Sequence, residues 1–268
     1  MKKQPKSEKV KVKKESAVKS KPVAEKQKPV EVKHLVCLLG DEALVKEYSA
    51  AFQEKGIAVQ ELKNLASLKT SAKKITAAFE LTLESNEQKK KNLQALNEAL
   101  PESVPIISSS LTETILSQSH LLNHKHRFIG IAAFPTLLAH PLVELAPSIH
   151  TSKEIADVVT ALFESIKKET AMVQDGVGMV MPRILCQIIN EALFTVQNDV
   201  ATPKEIDEAM KLGTNYPHGP IAWGEMIGFG NVVAVLDALY HSHHEERYKV
   251  APVLRQMAIA GVFWKKEA

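Results

Sequence analysis

The stretch that most constrains the fold of this chain is residues 178–220, which carry the pattern of two consecutive helices. After Pro182, apolar residues recur at three- and four-residue intervals, the period of a largely buried helix. Pro182 is expected in the first turn, because the first amides of a helix have no intrahelical partner. The second helix is predicted to begin at Thr202, which can form a capping box with Glu205, and to end at Gly213 in a left-handed conformation.

The loops around these helices carry a more specific signal than their periodicity. The chain reads Gly-Met-Val-Met-Pro-Arg-Ile-Leu over 178–185, Asn-Glu-Ala over 190–192, Glu-Ile-Asp-Glu-Ala-Met-Lys-Leu-Gly over 205–213 and Tyr-Pro-His-Gly-Pro over 216–220. In order, spacing and identity, these segments resemble the C-terminal domain of the 3-hydroxyacyl-CoA dehydrogenases. The resemblance implies an all-helical domain that, in this family, dimerises and helps to enclose the acyl chain.

Residues 1–34 differ in kind from the rest of the chain. They carry twelve Lys and four Glu, a net charge of +8, whereas the whole chain carries +3, so the remainder is mildly acidic. A tract of this composition is expected to be a disordered Lys-rich tail, either an electrostatic arm or a solubilising segment. Because no aromatic residue is interleaved for base stacking, a nucleic-acid partner is not expected.

Composition also indicates the compartment. No segment is apolar enough to span a bilayer, and the tail has the features of neither an export signal nor a mitochondrial transit peptide. Cys37 and Cys186 are too few for a disulfide framework and lie in predicted core elements, the pattern of buried thiols in a reducing compartment. We therefore expect a cytoplasmic protein without a membrane span.

A βαβ opening is predicted after the tail. An apolar strand over 35–39 meets Gly40, and an amphipathic helix follows that closes at Gly56 before a second strand. The family carries G-x-G-x-x-G at this turn, where the second glycine admits a pyrophosphate and the third lets the helix pack closely. Only Gly40 is retained here, because Glu42 and Val45 occupy the other two positions.

The part of the family motif that holds the cofactor's ribose is also altered. Counted from Gly56, the position of the acidic residue that would bind the ribose hydroxyls is close to Lys63, although Glu61 stands nearby. The next segment is shorter than in the family, as if a helical arm were deleted. We therefore do not expect a working dinucleotide site.

Residues 104–111 resemble the family's strand that ends in Asn-Thr-Ser-Ser-Leu. In that alignment Ser109 matches the serine that binds the substrate hydroxyl. Alternatively, residues 108–110 simply cap a helix that contains Ile115 and Leu116.

Catalysis in the family requires a histidine base oriented by a glutamate. The histidine belongs to the family motif Gly-x-His-Phe-Phe-Asn-Pro, and the glutamate to the strand Leu-Val-Glu-Val that follows it. This chain reads Gly-Ile-Ala-Ala-Phe-Pro-Thr over 130–136 and Pro-Leu-Val-Glu-Leu over 141–145. Ala132 therefore replaces the histidine, Glu144 is retained, and Pro182 replaces the active-site asparagine. The side chains of alanine and proline cannot donate, accept or titrate.

Two other groups of histidines invite a chemical interpretation. His140 could substitute for the base, but only if the intervening loop folds back, since proton transfer needs hydrogen-bond reach. Residues 241–246, His-Ser-His-His-Glu-Glu, could ligate a metal. On a helix only His241 and Glu245 of this group would share a face, which favours an exposed helix end, so no metal is expected.

These observations predict an α/β fold followed by an all-α fold. Residues 1–34 form the tail, 35–174 a reduced Rossmann-like domain, and 175–268 the helical domain. We interpret the chain as a degenerate 3-hydroxyacyl-CoA dehydrogenase homologue of fatty-acid or acyl-CoA metabolism.

The substitutions indicate impaired hydride transfer, with Ser109, Glu144 and Gly40 as vestiges of the catalytic and cofactor sites and no cofactor expected. The predicted role is a binding or scaffold subunit that pairs with itself or a paralogue through the helical domain and has acyl-CoA as a candidate ligand. The alternative is an active NAD-dependent 3-hydroxyacyl-CoA oxidoreductase that uses residues of a partner chain or noncanonical residues of its own.

Overall fold

A seven-stranded sheet forms the first part of the fold in the computed structural model, which describes residues 34–63, 65–84 and 87–261. The predicted Lys-rich tail lies outside the described residues, apart from His34. In chain order the strands are β1 (Leu35–Gly40), β2 (Ala58–Glu61), β3 (Ala77–Leu81), β4 (Ile106–Ser109), β5 (Phe128–Ile131), β6 (Leu142–Pro147) and β7 (Glu169–Met172).

The strand order in the sheet is β2-β1-β3-β4-β5-β6-β7, and every neighbouring pair is parallel except β5 and β6. The chain runs outward from β1 to β2 and then crosses to the other side of β1 to form β3. Such a reversal creates a crevice at the carboxyl ends of the strands, where ligands bind in doubly wound sheets.

Ten helices connect and follow the strands in the described part of the chain. They are α1 (Glu42–Glu54), α2 (Leu68–Ser71), α3 (Glu87–Ala99), α4 (Ile115–Gln118), α5 (Lys153–Ser165), α6 (Met181–Gln197), α7 (Pro203–Thr214), α8 (Pro220–Ile227), α9 (Phe229–His243) and α10 (Pro252–Ala260). The last five form the helical part, in which α6 packs against α8, α9 and α10 around a core that includes Ile189, Leu193 and Leu236. The predicted fold class, Rossmann-like and then helical, is confirmed. The domain boundary at residue 174 stays a prediction and falls between β7 and α6.

The predicted starts of the two diagnostic helices are confirmed, but one predicted end is wrong. Pro182 lies in the first turn of α6, and Thr202 and Glu205 form the capping box of α7. Helix α7 continues through Gly213, and Asn215 adopts the left-handed conformation instead, with φ of 57°. Asparagine can end a helix in this way because its short polar side chain tolerates that region.

Within the described ranges, no single helix is long and apolar enough to cross a membrane. Helices α8 and α9 together meet the criterion of length and composition, but only as a pair bent by 96°.

Candidate functional site

The carboxyl ends of the strands carry two concave regions. One is an apolar pocket of about 240 Å³ near the end of β5 and the start of the antiparallel strand β6, and the other is a wider cleft of about 560 Å³ beside β1, β2 and β3. We call them the apolar pocket and the edge cleft. The apolar pocket is lined by Tyr48, Ala132, Leu137, Leu138, His140, Leu142, Val143, Glu144 and Met181.

Ala132 forms part of the wall of the apolar pocket just after β5. Its amide donates to the carbonyl oxygen of Glu144 at 3.1 Å, which holds the two strand segments together. The pocket lining is dominated by aliphatic side chains. The position that the family resemblance assigns to an imidazole therefore contributes only a methyl group to an apolar wall.

Glu144 reaches the start of α6. Its Oε2 accepts a hydrogen bond from the Val180 amide at 2.8 Å, and its Oε1 accepts one from the Met181 amide at 2.7 Å. These are two of the amides that the helix itself leaves unpaired, and a carboxylate there also matches the positive end of the helix dipole. Both oxygens of Glu144 therefore already cap the start of α6, where Pro182 follows Met181.

His140 also lies on the wall of the apolar pocket. The chain turns back through a 3-10 turn at Leu137–Ala139, so the requirement that the loop fold back, which counted against His140 in the sequence, is met. The His140 ring lies 5.7 Å from the Trp223 ring, centroid to centroid. The turn, which counting residues along the chain could not foresee, therefore brings His140 to the pocket, whereas the prediction that His140 lies outside hydrogen-bond reach of a substrate stays a prediction.

Glu47 of α1 fixes that turn. Its carboxylate accepts the amides of Thr136 and Leu138, both at 3.1 Å, and Thr136 is in the left-handed region with φ of 73°. The Thr136 hydroxyl accepts a hydrogen bond from the indole nitrogen of Trp223 at 3.1 Å, which links the turn to α8. Burial raises the pKa of Glu47, and its backbone hydrogen bonds and Lys168 oppose that effect without cancelling it.

The raised pKa predicts a pH dependence of stability. Because folded Glu47 holds its proton more tightly than the unfolded chain does, its contribution is greatest below its ordinary pKa and is lost as pH rises through the folded value. We expect the unfolding free energy of the natural protein to rise relative to that of Glu47→Gln as pH falls from neutral towards the ordinary glutamate pKa. Urea denaturation of both proteins across that range measures the difference, and two parallel pH profiles would contradict the assignment.

Ser109 is the last residue of β4 and is fully buried. Its Oγ has no hydrogen-bond partner in the described part of the chain, whereas its carbonyl oxygen accepts from Lys89 Nζ at 2.8 Å. The alternative, that residues 108–110 cap the following helix, is wrong. Thr114 caps α4, and the Asp175 carboxylate accepts the first two amides of that helix.

A buried ion pair lies next to Ser109, and sequence reasoning missed it. Lys89 Nζ is 2.9 Å from Glu80 Oε2, and neither side chain is more than 2% exposed. Lys89 also donates to the carbonyl oxygen of Thr82 at 2.6 Å, and Glu80 Oε1 accepts from the Asn92 amide at 3.0 Å. The Oε2 contact is an ion pair without the geometry of a directed hydrogen bond. The network joins β3 and β4 to α3 beneath the edge cleft.

The edge cleft occupies the position where a Rossmann-like sheet binds a nucleotide. It is lined by Leu39, Gly40, Asp41, Leu62, Lys63, Leu65, Thr82, Gln88, Lys91 and Asn92. Gly40 has φ of 125°, and a Cβ atom there would lie 2.5 Å from the backbone of Leu81 and Thr82. The retained glycine is therefore needed for the close approach of β1 and β3, whatever binds in the cleft.

The first turn of α1 does not fit the diphosphate of a dinucleotide. The Asp41 carboxylate accepts the Leu83 amide at 2.9 Å, and Glu42 is exposed in an ion pair with Lys46 at 2.5 Å. The hydrogen bond and charge of Lys46 lower the pKa of Glu42, so its carboxylate stays ionised. Val45, at the third glycine position, is part of the hydrophobic core. Two carboxylates thus stand where a helix start would otherwise attract phosphate.

Neither the cysteines nor the metal-binding side chains of the described residues form a further site. Both cysteines are free and buried, and burial raises the pKa of Cys37 to about 12 and that of Cys186 as well, so neither thiol is activated. Across residues 34–63, 65–84 and 87–261, no group of three or more His, Cys, Asp or Glu side chains is placed to hold a metal ion. In the segment 241–246, His243 instead packs its ring 5.5 Å from that of Tyr248.

Two family models match consecutive parts of the chain. The NAD binding domain of 3-hydroxyacyl-CoA dehydrogenase matches residues 12–176, and the C-terminal domain of the same enzyme matches residues 178–268.

Individual proteins give a consistent picture. The chain is 32% identical over 188 residues to a probable 3-hydroxybutyryl-CoA dehydrogenase of Bacillus subtilis, which covers 70% of this chain and 66%, just under two thirds, of that protein. It is 44% identical over 92 residues to a 3-hydroxyadipyl-CoA dehydrogenase of Escherichia coli, covering 34% of this chain and 19% of that one. Its structure resembles the (S)-3-hydroxybutyryl-CoA dehydrogenase of Ralstonia eutropha with a TM-score of 0.68 and 26% identity, over 85% of this chain and 94% of that one.

Proposed function

Since this chain belongs to the 3-hydroxyacyl-CoA dehydrogenase family, we propose that it binds an acyl-CoA without transferring hydride to or from the acyl group. The observation that carries this proposal is the apolar pocket, in which Ala132 stands at the position of the base. A volume of about 240 Å³ is below the roughly 300–1,000 Å³ of pockets that enclose drug-sized ligands, so it suits a short acyl group.

Loss of hydride transfer follows from what the residues around the pocket can do. Ala132 and Pro182 can neither accept a proton nor orient a hydroxyl. Glu144 already accepts two amides at the start of α6, so in this role it stabilises the helix. The aliphatic wall would exclude water from a bound acyl group but would not move a proton.

The NAD-binding family model makes NAD the family's expected cofactor. In this chain the carboxylates of Asp41 and Glu42 lie at the first turn of α1, where the diphosphate would have to bind. We propose that this substitution, together with loss of the base, removes NAD-dependent chemistry. Nicotinamide cofactors would supply hydride if they bound.

Filling the apolar pocket tests the proposal. We expect Ala132→Ile to weaken acetoacetyl-CoA binding by about five- to 150-fold, since forcing extra methyl groups into a packed site costs about 1–3 kcal/mol. Calorimetric titration measures the effect, and free CoA serves as the ligand without an acyl group. Ala171→Ile, in the partly exposed strand β7, is the matched control. Equal affinity of both variants for acetoacetyl-CoA would place the acyl group elsewhere.

A second candidate function is an active oxidoreductase in which His140 replaces the missing base. The position of His140 on the wall of the apolar pocket favours it. Against it, the carboxylate of Glu144, which lines the same pocket, accepts the amides at the start of α6. Among the described residues, no ion pair or side-chain hydrogen bond joins the His140 ring to a carboxylate. Turnover that disappears in His140→Gln while acyl-CoA binding persists would establish this candidate.

We also propose that the helical part pairs with a second copy or with a paralogue, in a cytoplasmic setting. The exposed apolar side chains of α6, α7 and α8 that such a partner could cover are those of Ile184, Leu212 and Met226. Sedimentation of the purified chain as a monomer alone and mixed with a catalytic family member would contradict the pairing.

A further inference from the structure

The edge cleft combines an apolar side with a cationic side. Leu39, Leu62 and Leu65 provide aliphatic surface of the kind on which a purine base packs. Lys63 follows β2 and Lys91 belongs to α3, and both line the same cleft. Its volume of about 560 Å³ lies within the usual range of roughly 300–1,000 Å³ for small-molecule sites.

Three carboxylates around the cleft already have partners. Asp41 accepts the Leu83 amide, Glu42 pairs with Lys46, and Glu87 pairs with Lys90 at 2.8 Å. Among the residues that the structure describes, no ion pair includes Lys63 or Lys91. Their charges reach Glu42 and Glu87 only at longer range, where they lower the pKa of those carboxyls.

In a dinucleotide-binding fold, the residue that follows the second strand contacts the ribose of the cofactor. An acidic residue there binds free ribose hydroxyls, whereas a basic residue accommodates a phosphate on the ribose. Strand β2 ends at Glu61, which is not among the residues that line the cleft, and Lys63 is the lining residue that follows it. The cleft therefore presents a cation at the ribose position.

We propose that the edge cleft binds an adenosine nucleotide that carries a phosphate on its ribose, held by Lys63 and Lys91. The first turn of α1 does not attract a 5′-diphosphate, so the contacts of the two lysines with the ribose phosphate would supply most of the binding energy. This site is separate from the apolar pocket and requires no acyl group, so it goes beyond the proposed function. A 2′-phosphate, as in NADP, and a 3′-phosphate, as in CoA, share this chemistry.

Four nucleotides without an acyl or nicotinamide group test the proposal by calorimetry on the full chain. They are adenosine 2′,5′-bisphosphate, adenosine 3′,5′-bisphosphate, 5′-AMP and 5′-ADP. We expect one bisphosphate to bind at least about tenfold more tightly than either 5′-nucleotide, since one charge-assisted hydrogen bond suffices for such a factor. Because 5′-ADP adds its second phosphate at the 5′ position, it controls for total charge.

Charge-reversal variants identify the residues. Lys63→Glu and Lys91→Glu should each abolish the preference for the bisphosphate, whereas Lys211→Glu, an exposed lysine on α7, should retain it. Unchanged thermal unfolding would show that these exposed positions tolerate the substitutions. Preference for the 2′ isomer would indicate an NADP-like ligand, and preference for the 3′ isomer a CoA-like one. Equal affinity for 5′-ADP and the bisphosphates, or no binding, would overturn the proposal, and neither result depends on the apolar pocket.

Discussion

Replacing Lys89 with methionine is expected to lower the free energy of unfolding by about 3–5 kcal/mol, because it leaves Glu80 as an uncompensated buried charge. Both side chains are at most 2% exposed, so water cannot replace the lost cation. The variant also removes the donor to the carbonyl oxygens of Thr82 and Ser109. Urea denaturation followed by far-ultraviolet circular dichroism measures the change.

Two controls separate charge from loss of packing. Lys90→Met changes the adjacent lysine, which is exposed and pairs with exposed Glu87, so it should have little effect. The double variant Glu80→Gln, Lys89→Met should recover much of the loss, since removing both charges of a buried pair is often close to neutral. If Lys89→Met were tolerated as well as Lys90→Met, the ion pair would not contribute as the structure indicates.

NADH-dependent reduction of acetoacetyl-CoA is expected to be at least about a hundred- to ten-thousand-fold slower than in a family member with a positioned base, because loss of the base alone accounts for such a factor. The reason is that Ala132 cannot donate a proton to the developing hydroxyl and that Glu144 is engaged with the amides of α6. The absorbance of NADH at saturating acetoacetyl-CoA measures the rate. Any residual rate should be unchanged in His140→Gln. A rate close to that of the active relative, and lost in this variant, would instead assign the base to His140.

Local chemistry made parts of the fold predictable. The capping box at Thr202 and the proline at position 182 act within one helical turn, so the residues themselves encode the helix starts. The β-strand of residues 35–39 and the glycine that follows it predicted the first βα unit for the same reason. The predicted end of α7 was wrong because both Gly213 and Asn215 can adopt the left-handed conformation, and only the length of the packed helix decides which of them ends it.

The site depends on contacts between distant segments, which the sequence does not show. Glu47 lies about ninety residues before the turn that it holds, and this turn is what brings His140 to the pocket. The pairing of Glu80 with Lys89 joins a strand to a helix, and charged residues in a sequence normally indicate an exposed face. By contrast, the replacement of the family's histidine by Ala132 and of its asparagine by Pro182 could be recognised from the sequence alone, because the absence of a functional group does not depend on the three-dimensional structure.

The central claim, that this chain binds acyl-CoA without NAD-dependent chemistry, is tested most directly by calorimetric titration with acetoacetyl-CoA and then with NADH. The account predicts that acetoacetyl-CoA binds in the absence of NADH, that filling the pocket at Ala132 weakens it, and that NADH gives no heat of binding. Micromolar NADH binding, or no binding of acetoacetyl-CoA, would contradict the account.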